Sequence, residues 1–332
     1  MSDAAPKDGA ALDVEDAGVG PDAADATDVG GASDAGDTVD PVDLAETSAP
    51  ISDCPSYVLE DPVVFTAGSH LHAVTYDNAG APSERQVTMV APNGFDPDLS
   101  YSLVFLFHGS GGGMGGHVNQ CKGAQAAGHQ VLCVVPQGGP QDGDQKPGWN
   151  LGGGQTEEDD VALVHGIWAG LKDEPYIDHD KVFALGTSMG AAFAGNILTN
   201  QACSFFTGVV QSATQLWVET VIESPGPMSV LIVHGENDGL LPIDGGVAFG
   251  TTNLLSVNES LETWATHNGC AQGEEPTESL TEDYTRVQYE DCPVPVVLYR
   301  LNGQGHGTSI QGWYPQGLLQ LTLEIFVEGG LP

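Results

Sequence analysis

Gly186-Thr187-Ser188-Met189-Gly190 is the stretch that decides the fold of this chain. It follows an apolar run at residues 182–185 and precedes a run of small residues at 191–195, a pattern that predicts a strand, a sharp turn and a helix. A G-x-S-x-G sequence at such a turn exposes the serine hydroxyl at the positive end of the following helix. The pattern therefore predicts that Ser188 is the nucleophile of a serine hydrolase.

Hydrophobic patterning around this stretch predicts an α/β protein. Runs that predict strands lie at residues 58–65, 70–76, 85–90, 102–107, 131–135, 182–185, 208–211, 230–233 and 294–301. The first three alternate and indicate antiparallel strands at a sheet edge, whereas the later ones are continuously apolar, as in buried parallel strands. Helical patterns lie at residues 161–171, 189–200 and 259–267 and after Pro315. We expect a mostly parallel central sheet with antiparallel N-terminal strands and helices on both faces.

The first fifty residues differ in composition from the rest of the chain. They contain 11 Asp, 2 Glu and one Lys without any aromatic residue. Such a segment has too little apolar surface to offset the entropy lost on ordering. We expect a disordered acidic leader or stalk over residues 1–52, and one catalytic domain over residues 53–332.

Charge and hydropathy limit the partners of the protein. The formal net charge of −38 argues against nucleic acid and against an anionic membrane surface. No run of 18 apolar residues is present, so we expect no membrane span. The acidic run 157–160 precedes a helical pattern, and stabilisation of that helix N-terminus explains it better than a cation site does. We expect no metal, no cofactor and a monomer.

The cysteines bear on the cellular compartment. The chain has six, Cys54, Cys121, Cys133, Cys203, Cys270 and Cys292. None has C-x-x-C spacing, which argues against zinc, and an even number beside a stalk-like leader favours an oxidising compartment. We expect a secreted, periplasmic or cell-surface bacterial protein whose signal segment is not present in this chain.

Two later strands are each followed by a short loop with a candidate catalytic residue. Asp238 follows the strand at 230–233, and His306 follows the strand at 294–301. The order serine, acid, histidine is that of an α/β-hydrolase triad, and the carboxyl ends of parallel strands meet at one edge of the sheet. Glu236 and Asp244 are rival acids in the first loop. We expect Ser188, Asp238 and His306 to form the triad.

A glycine-rich loop at residues 108–113 completes the expected site. It follows the strand at 102–107 and lacks the Gly-Lys-Ser/Thr ending of a phosphate-binding loop. Such a loop can direct a backbone N–H into the site, so Ser110 and Met189 are the expected donors of an oxyanion hole. His108 and His234 each precede a glycine at a strand end, and we expect them to hold loops by hydrogen bonds rather than to react.

The motifs together resemble a known family. They are His108-Gly-Ser-Gly-Gly, the Ser188 turn, His234-Gly-x-x-Asp238-x-x-x-Pro242 and Gly303-x-Gly305-His306. This combination is similar to the secreted polyhydroxybutyrate depolymerase/feruloyl esterase group of α/β-hydrolases, which includes acetylxylan esterases. The similarity covers about residues 65–328 and includes Gly148-Trp149-Asn150 and Trp264-x-x-x-x-Gly269-Cys270.

The resemblance implies fold, chemistry and one disulfide. It implies an α/β-hydrolase fold, a serine esterase that acts through an acyl-enzyme, and a Cys270–Cys292 bridge. The other four cysteines retain three possible pairings, among which Cys121–Cys133 is conceivable. Candidate substrates are feruloyl or acetyl esters of plant polysaccharide, or short polyesters such as polyhydroxybutyrate or an aromatic polyester.

Side chains on loops near the strand ends are the candidates for contact with the substrate. We place Trp149, Gln304 and Trp313 there, with Trp217 as a weaker candidate, and an indole such as that of Trp149 can stack on an aromatic acyl group or a sugar. Loop packing is the competing explanation for Trp149. A peptidase or thioesterase on the same fold, or an inactive surface binding protein, are the alternative functions.

Overall fold

The computed structural model describes residues 57–332 except 142–145, 153–156, 271–272, 274, 307–313, 315 and 331–332. The expected leader at residues 1–52 and the candidate Trp313 lie outside the described residues. The boundary between leader and domain stays a prediction.

Strands and helices alternate along most of the described chain. The strands are β1 (Gly68–Asn78), β2 (Ala81–Ala91), β3 (Tyr101–Phe107), β4 (Val131–Pro136), β5 (Gly139–Pro140), β6 (Pro147–Gly148), β7 (Ile177–Thr187), β8 (Gly208–Ser212), β9 (Ser229–Gly235), β10 (Gly246–Ala248), β11 (Thr252–Leu254), β12 (Thr277–Leu280), β13 (Tyr284–Gln288) and β14 (Val296–Leu301). The helices are α1 (Met114–Ala126), α2 (Asp160–Leu171), α3 (Met189–Ala192) with a π-helical continuation (Phe193–Leu198), α4 (Val257–His267) and α5 (Leu318–Phe326).

Ten of these strands form one sheet in the order β1-β2-β4-β3-β7-β8-β9-β14-β13-β12. The six from β4 to β14 in this order pair in parallel. Antiparallel strands flank them, with β1 and β2 at one edge and β13 and β12 at the other. The mostly parallel sheet with antiparallel N-terminal strands is confirmed.

Burial on both faces of the sheet explains the continuously apolar strands. In β3, Leu103, Phe105 and Phe107 pack into one hydrophobic core with residues of α2 and α4. The alternate residues Val104 and Leu106 pack into a second core with residues of α1 and α5. Because each strand residue points to the face opposite its neighbour, both faces must be covered. The prediction of helices on both faces is confirmed.

Three predicted elements differ in the structure. Residues 58–65 are not a strand, since Pro62 lacks an N–H for a ladder while Leu59, Val63 and Phe65 still bury their side chains in the core. The helix after the Ser188 turn is α-helical for four residues and then π-helical. The last helix begins at Leu318 after Gly317, not at Pro315, which lies outside the described residues.

Side-chain caps determine where two helices start. Asp159 caps α2 by accepting a hydrogen bond from the Ala162 N–H at 2.8 Å. Ser256 and Glu259 form a reciprocal capping box at the start of α4. Both caps use residues whose side chains satisfy N–H groups that the first helical turn leaves unpaired.

Disulfides connect helices, or the segments that follow them, to strands of the sheet or their preceding loops. One joins Cys121 of α1 to Cys133 of β4, and another joins Cys270 after α4 to Cys292 before β14. Cys203 is also disulfide-bonded. Each bridge closes a loop and so reduces the conformational freedom of the unfolded chain.

His117 provides a test of how the buried face of α1 responds to pH. Its ring is buried, and burial lowers its pKa to about 4, whereas an unfolded chain holds histidine near its ordinary value of about 6.5. The folded state therefore binds fewer protons between these values, and His117 makes stability fall as the pH drops from about 6.5 to about 4. We expect His117→Gln to lose about 3 kcal/mol less stability than the wild type over this range.

Urea denaturation at a series of pH values measures this difference. His179→Gln, which changes the same residue type at an exposed position, is the matched control. An H117Q variant with the pH dependence of the wild type would contradict the assignment.

Candidate active site

The turn between β7 and α3 holds Ser188 in a left-handed conformation, with φ at 53°. A Cβ at Gly186 would overlap the backbone of Gly190, and a Cβ at Gly190 would overlap the Phe107 carbonyl. The Ser188 N–H donates to the Ser212 oxygen at 2.8 Å, so the turn is also tied to β8. Such a backbone conformation is costly for a residue with a side chain, and it projects the hydroxyl out of the turn.

A chain of two hydrogen bonds connects Ser188 to His306 and Asp238. The Ser188 Oγ lies 2.9 Å from His306 Nε2, and His306 Nδ1 lies 2.8 Å from Asp238 Oδ2. A carboxylate only accepts, so the Nδ1–H of His306 donates to it, which leaves Nε2 to accept the Ser188 hydroxyl proton. This tautomer is the one that a general base beside a serine requires.

Of the three acidic residues in the loop after β9, Asp238 is the one that contacts His306. Its side chain is fully buried, and Oδ1 accepts the N–H groups of Leu240 and Leu241, each at 2.9 Å. Glu236 and Asp244 are exposed. Because Asp238 is held by two backbone donors and by His306, its carboxylate is oriented before any substrate binds.

The two expected oxyanion donors border the serine. Gly109 passes so close that an added Cβ would lie 3.4 Å from the Ser188 Cβ, which places the glycine-rich loop against Ser188. Within the described part of the chain, the backbone N–H groups of Ser110 and Met189 donate no hydrogen bond. The arrangement suits an oxyanion hole, and that role of Ser110 and Met189 stays a prediction.

His108 fixes the orientation of the glycine-rich loop. The Gly138 N–H donates to His108 Nε2 at 2.9 Å, so the ring proton lies on Nδ1, which donates to the Gly109 oxygen at 2.8 Å. Burial lowers the pKa of His108 and keeps the ring neutral. The carbonyl of Gly109 and the N–H of Ser110 belong to one peptide unit, so this bond also directs the Ser110 N–H.

Trp149 corrects one expectation from the sequence. Its side chain is 0% exposed, so it cannot stack on a substrate. The ring stacks on Phe193 and meets Phe107 edge-on, and its Nε1–H donates to the His108 oxygen at 2.7 Å. Trp149 therefore supports the glycine-rich loop from below, which is the loop-packing alternative that the sequence left open.

The acidic run before α2 anchors the segment that contains Trp149. Asp160 accepts the Asn150 N–H at 2.6 Å, and both Asp160 and Glu158 lie 3.2 Å from the guanidinium of Arg85 in β2. Burial raises the pKa of Asp160 to about 6 even though Arg85 opposes the shift. These carboxylates hold a loop in place, a use that the sequence pattern did not reveal.

The remaining substrate-contact candidates are only partly placed. Gln304 is exposed, and its backbone oxygen accepts the Asn237 N–H at 2.7 Å beside the acid loop, so its contact with substrate stays a prediction. Trp313 lies outside the described residues. Trp217 is half-buried, and its N–H donates to Asn196 of the π-helical turn at 2.8 Å.

Two buried amides support the site and were not predicted. Asn196 receives the Trp217 N–H, while Gln215 donates to the Pro242 oxygen at 2.8 Å and accepts from His234 Nε2 at 3.1 Å. His234 therefore holds a loop, as its position before a glycine predicts. A π-helical turn is not visible in a hydrophobic pattern, so nothing in the sequence marks Asn196 as inward-facing.

The sequence relatives of this chain include feruloyl esterases. No protein-family model matches the chain. Feruloyl esterase C of Emericella nidulans is 27% identical over 237 residues, which cover 68% of this chain and 78% of that protein. Feruloyl esterase B of Piromyces equi is 27% identical over 241 residues, which cover 69% of this chain and 44% of that protein.

One solved structure shares the fold. Acetyl xylan esterase from Aspergillus awamori superimposes with a TM-score of 0.51 at 15% identity, over 74% of this chain and 97% of that chain. The architecture is thus that of an α/β-hydrolase. Together with the curated relatives, it confirms the resemblance to the feruloyl esterase-related group.

The comparisons also bear on the expected location. The relatives named here come from fungi and give no support to a bacterial source. Among the residues that the structure describes, no helix has the length and apolar character needed to cross a membrane.

Trp149 generates a prediction about the glycine-rich loop. Trp149→Phe keeps an aromatic ring against Phe193 but removes the donor to the His108 oxygen, which leaves a buried carbonyl unpaired. We expect kcat on a soluble ester to fall about tenfold, with a smaller change in KM, because the Ser110 N–H loses its alignment in the transition state.

Trp168→Phe is the matched control for this substitution. Trp168 also stacks on a phenylalanine, Phe205, but it lies in the last turn of α2, away from the glycine-rich loop. If W149F and W168F had the same kcat, Trp149 would be a packing residue only.

Proposed function

We propose that the protein is an exported serine carboxylic-ester hydrolase that acts through an acyl-enzyme. The single observation that carries this proposal is the hydrogen-bonded chain Ser188–His306–Asp238 at the carboxyl edge of the sheet. Esterase relatives covering two thirds of the chain support the same conclusion. The disulfides support export, since such bonds persist in oxidising compartments.

Acylation follows from the geometry of the triad. Nε2 of His306 takes the Ser188 proton as the serine oxygen attacks the ester carbonyl. Asp238, held by the N–H groups of Leu240 and Leu241, keeps the imidazole oriented and stabilises its positive charge. His306 then gives the proton to the departing alcohol, and the acyl group stays on Ser188.

The oxyanion hole acts in both acylation and deacylation. The N–H groups of Ser110 and Met189 stabilise the negative oxygen of the tetrahedral intermediate, each contributing about 3 kcal/mol in comparable sites. Water, deprotonated by His306, attacks the acyl-enzyme and releases the acid. Because the donors are backbone groups on braced loops, they need little reorganisation when charge develops.

The substrate is a feruloyl or acetyl ester of plant polysaccharide, or a short polyester. The curated relatives are feruloyl esterases, and their names support the first of these classes. We further propose that the protein acts as a monomer. Sedimentation analysis of the intact chain tests that point directly.

Ser188→Ala tests the reaction. We expect it to lower kcat/KM on p-nitrophenyl acetate by about 10⁴-fold or more, because the nucleophile and its acyl intermediate are lost. A fluorophosphonate probe should label the wild type at Ser188 and leave S188A unlabelled. Wild-type turnover by S188A would show that another group is the nucleophile.

A substrate panel separates the esterase from other enzymes on this fold. We expect turnover of methyl ferulate, acetylated xylan or hydroxybutyrate oligomers, and none of peptide anilides. If the protein hydrolysed peptide or thioester substrates rapidly and hydrolysed none of the oxygen esters, the carboxylic-ester assignment would be rejected.

A further inference from the structure

A small antiparallel sheet stands beside the acid loop of the triad. Strands β10 and β11 form a hairpin, and a single antiparallel β-bridge joins Trp217 to Leu254 of β11. The inner face of this sheet packs Ala248 and Leu254 on Leu241. The Leu241 N–H donates to Asp238, so the hairpin packs on a residue that itself binds the triad acid.

The outer face of the same sheet exposes apolar side chains. Val247 lies opposite Asn253, and the Val218 N–H donates to the Asn253 oxygen, so all three residues point away from the packed inner face. Val247 is 64% exposed, Val218 is 56% exposed, and Phe249 at the hairpin tip is 68% exposed. We call Val218, Val247 and Phe249 the apolar patch.

The backbone at the tip shows that Phe249 is an unfavourable choice for the turn. Phe249 and Gly250 have φ values of 51° and 76°, and the Thr251 N–H donates to the Ala248 oxygen, as in a type I′ turn. Asn, Asp and Gly are the residues that tolerate the first of these positions, whereas a bulky side chain there is a genuine outlier. Local strain that presents an aromatic ring to solvent indicates a binding role.

The charge pattern indicates what the patch binds. Residues 245–258 contain no charged side chain, in a chain whose net charge is −38. Asn253, which lies between Val218 and Val247, donates to Glu219 at 3.2 Å, so one carboxylate lies beside the two valines and none lies on the hairpin itself. A hairpin that lacks charged residues and exposes a phenylalanine and a valine suits an uncharged partner better than a charged one.

A second copy of the chain fits this surface poorly. A stable protein interface needs about 20–30 residues on each side, and the patch has three exposed apolar side chains. The folded part of each copy also carries most of the net charge of −38, so two copies repel each other. A solid polymer surface, in contrast, presents the same chemical groups repeatedly, so a few exposed apolar side chains are sufficient to contact it.

We propose that the apolar patch adsorbs the enzyme to the uncharged apolar surface of a water-insoluble polymer that carries the ester. The inference rests on the proposed esterase function. Because the patch faces outward rather than into the core, it contacts the polymer beyond the bond that Ser188 attacks. The hairpin that carries Phe249 and Val247 packs on Leu241, so polymer held there lies next to the loop that positions Asp238.

Phe249→Asn is the sharpest variant, because Asn suits the type I′ turn better than Phe and the hairpin should fold at least as well. Leu280→Asn is the matched control, since Leu280 is 76% exposed on β12 at the far edge of the ten-stranded sheet. Val247→Thr removes apolar surface from the patch while keeping a β-branched side chain.

Adsorption to poly(3-hydroxybutyrate) film is measured in an S188A background, where the surface is not consumed. We expect F249N to weaken the apparent affinity at least about fivefold, V247T to weaken it less, and L280N to change it by less than about twofold. In the active enzymes, F249N should lower the ratio of film turnover to p-nitrophenyl acetate turnover. An apolar contact should persist from about 0.05 M to about 0.5 M NaCl.

Several results would overturn the proposal. They are equal film binding by F249N and L280N, loss of binding at high salt, or a wild-type dimer that F249N converts to monomer. Failure of the esterase proposal is seen separately, as retained ester turnover in S188A, because the adsorption measurement does not depend on turnover.

Discussion

The strained backbone of Ser188 is the constraint on which the rest of the site depends. A residue with φ at 53° between a strand and a helix persists only where its neighbours leave no alternative. Gly186 and Gly190 permit backbone approaches that a Cβ would block, and bonds from Ser188 to β8 and from Ala192 to Ser188 fasten both sides of the turn. Strands β3, β7 and β8 must therefore be in place before the hydroxyl is presented, so the geometry of the site is linked to the folding of the centre of the sheet.

Each loop that meets this serine is fastened by a buried polar group. His108 directs the glycine-rich loop, while His234 and Gln215 join the loops after β8 and β9. Beneath the first loop, Trp149 donates to the His108 oxygen, and Asp160 with Arg85 fixes the segment that carries Trp149. Loops would otherwise be the mobile part of such a fold, and these bonds fix the backbone of the loops that border Ser188.

The sequence predicted those features that have a local signature. A G-x-S-x-G turn, apolar runs and residues just after strand ends were sufficient to bring Ser188, Asp238 and His306 to one edge of the sheet. Features that depend on distant partners were missed. The outer strands β12 and β13 are polar and resemble loops, and α1 buries His117, Cys121 and Ala124 at helical spacing without a conventional apolar stripe. Trp149 was a candidate for substrate contact, with loop packing as the alternative, because nothing in the sequence shows that Phe107 and Phe193 enclose it.

Trp149 and Phe249 show that the folded structure, and not the local sequence, determines which aromatic side chains are buried and which are exposed. Trp149 follows Gly148 in the segment before α2, and its expected place near the strand ends favoured a binding role, yet it is completely buried and braces the peptide before Gly109. Phe249 has no motif around it, yet it is largely exposed in a turn that disfavours its side chain. The exposure of a side chain and the free-energy cost of its backbone conformation are properties of the folded chain. The Phe249 ring is exposed, so packing of the ring does not offset the cost of its positive φ. Recognition outside the catalytic cleft is the explanation that accounts for both its exposure and its position beside the acid loop.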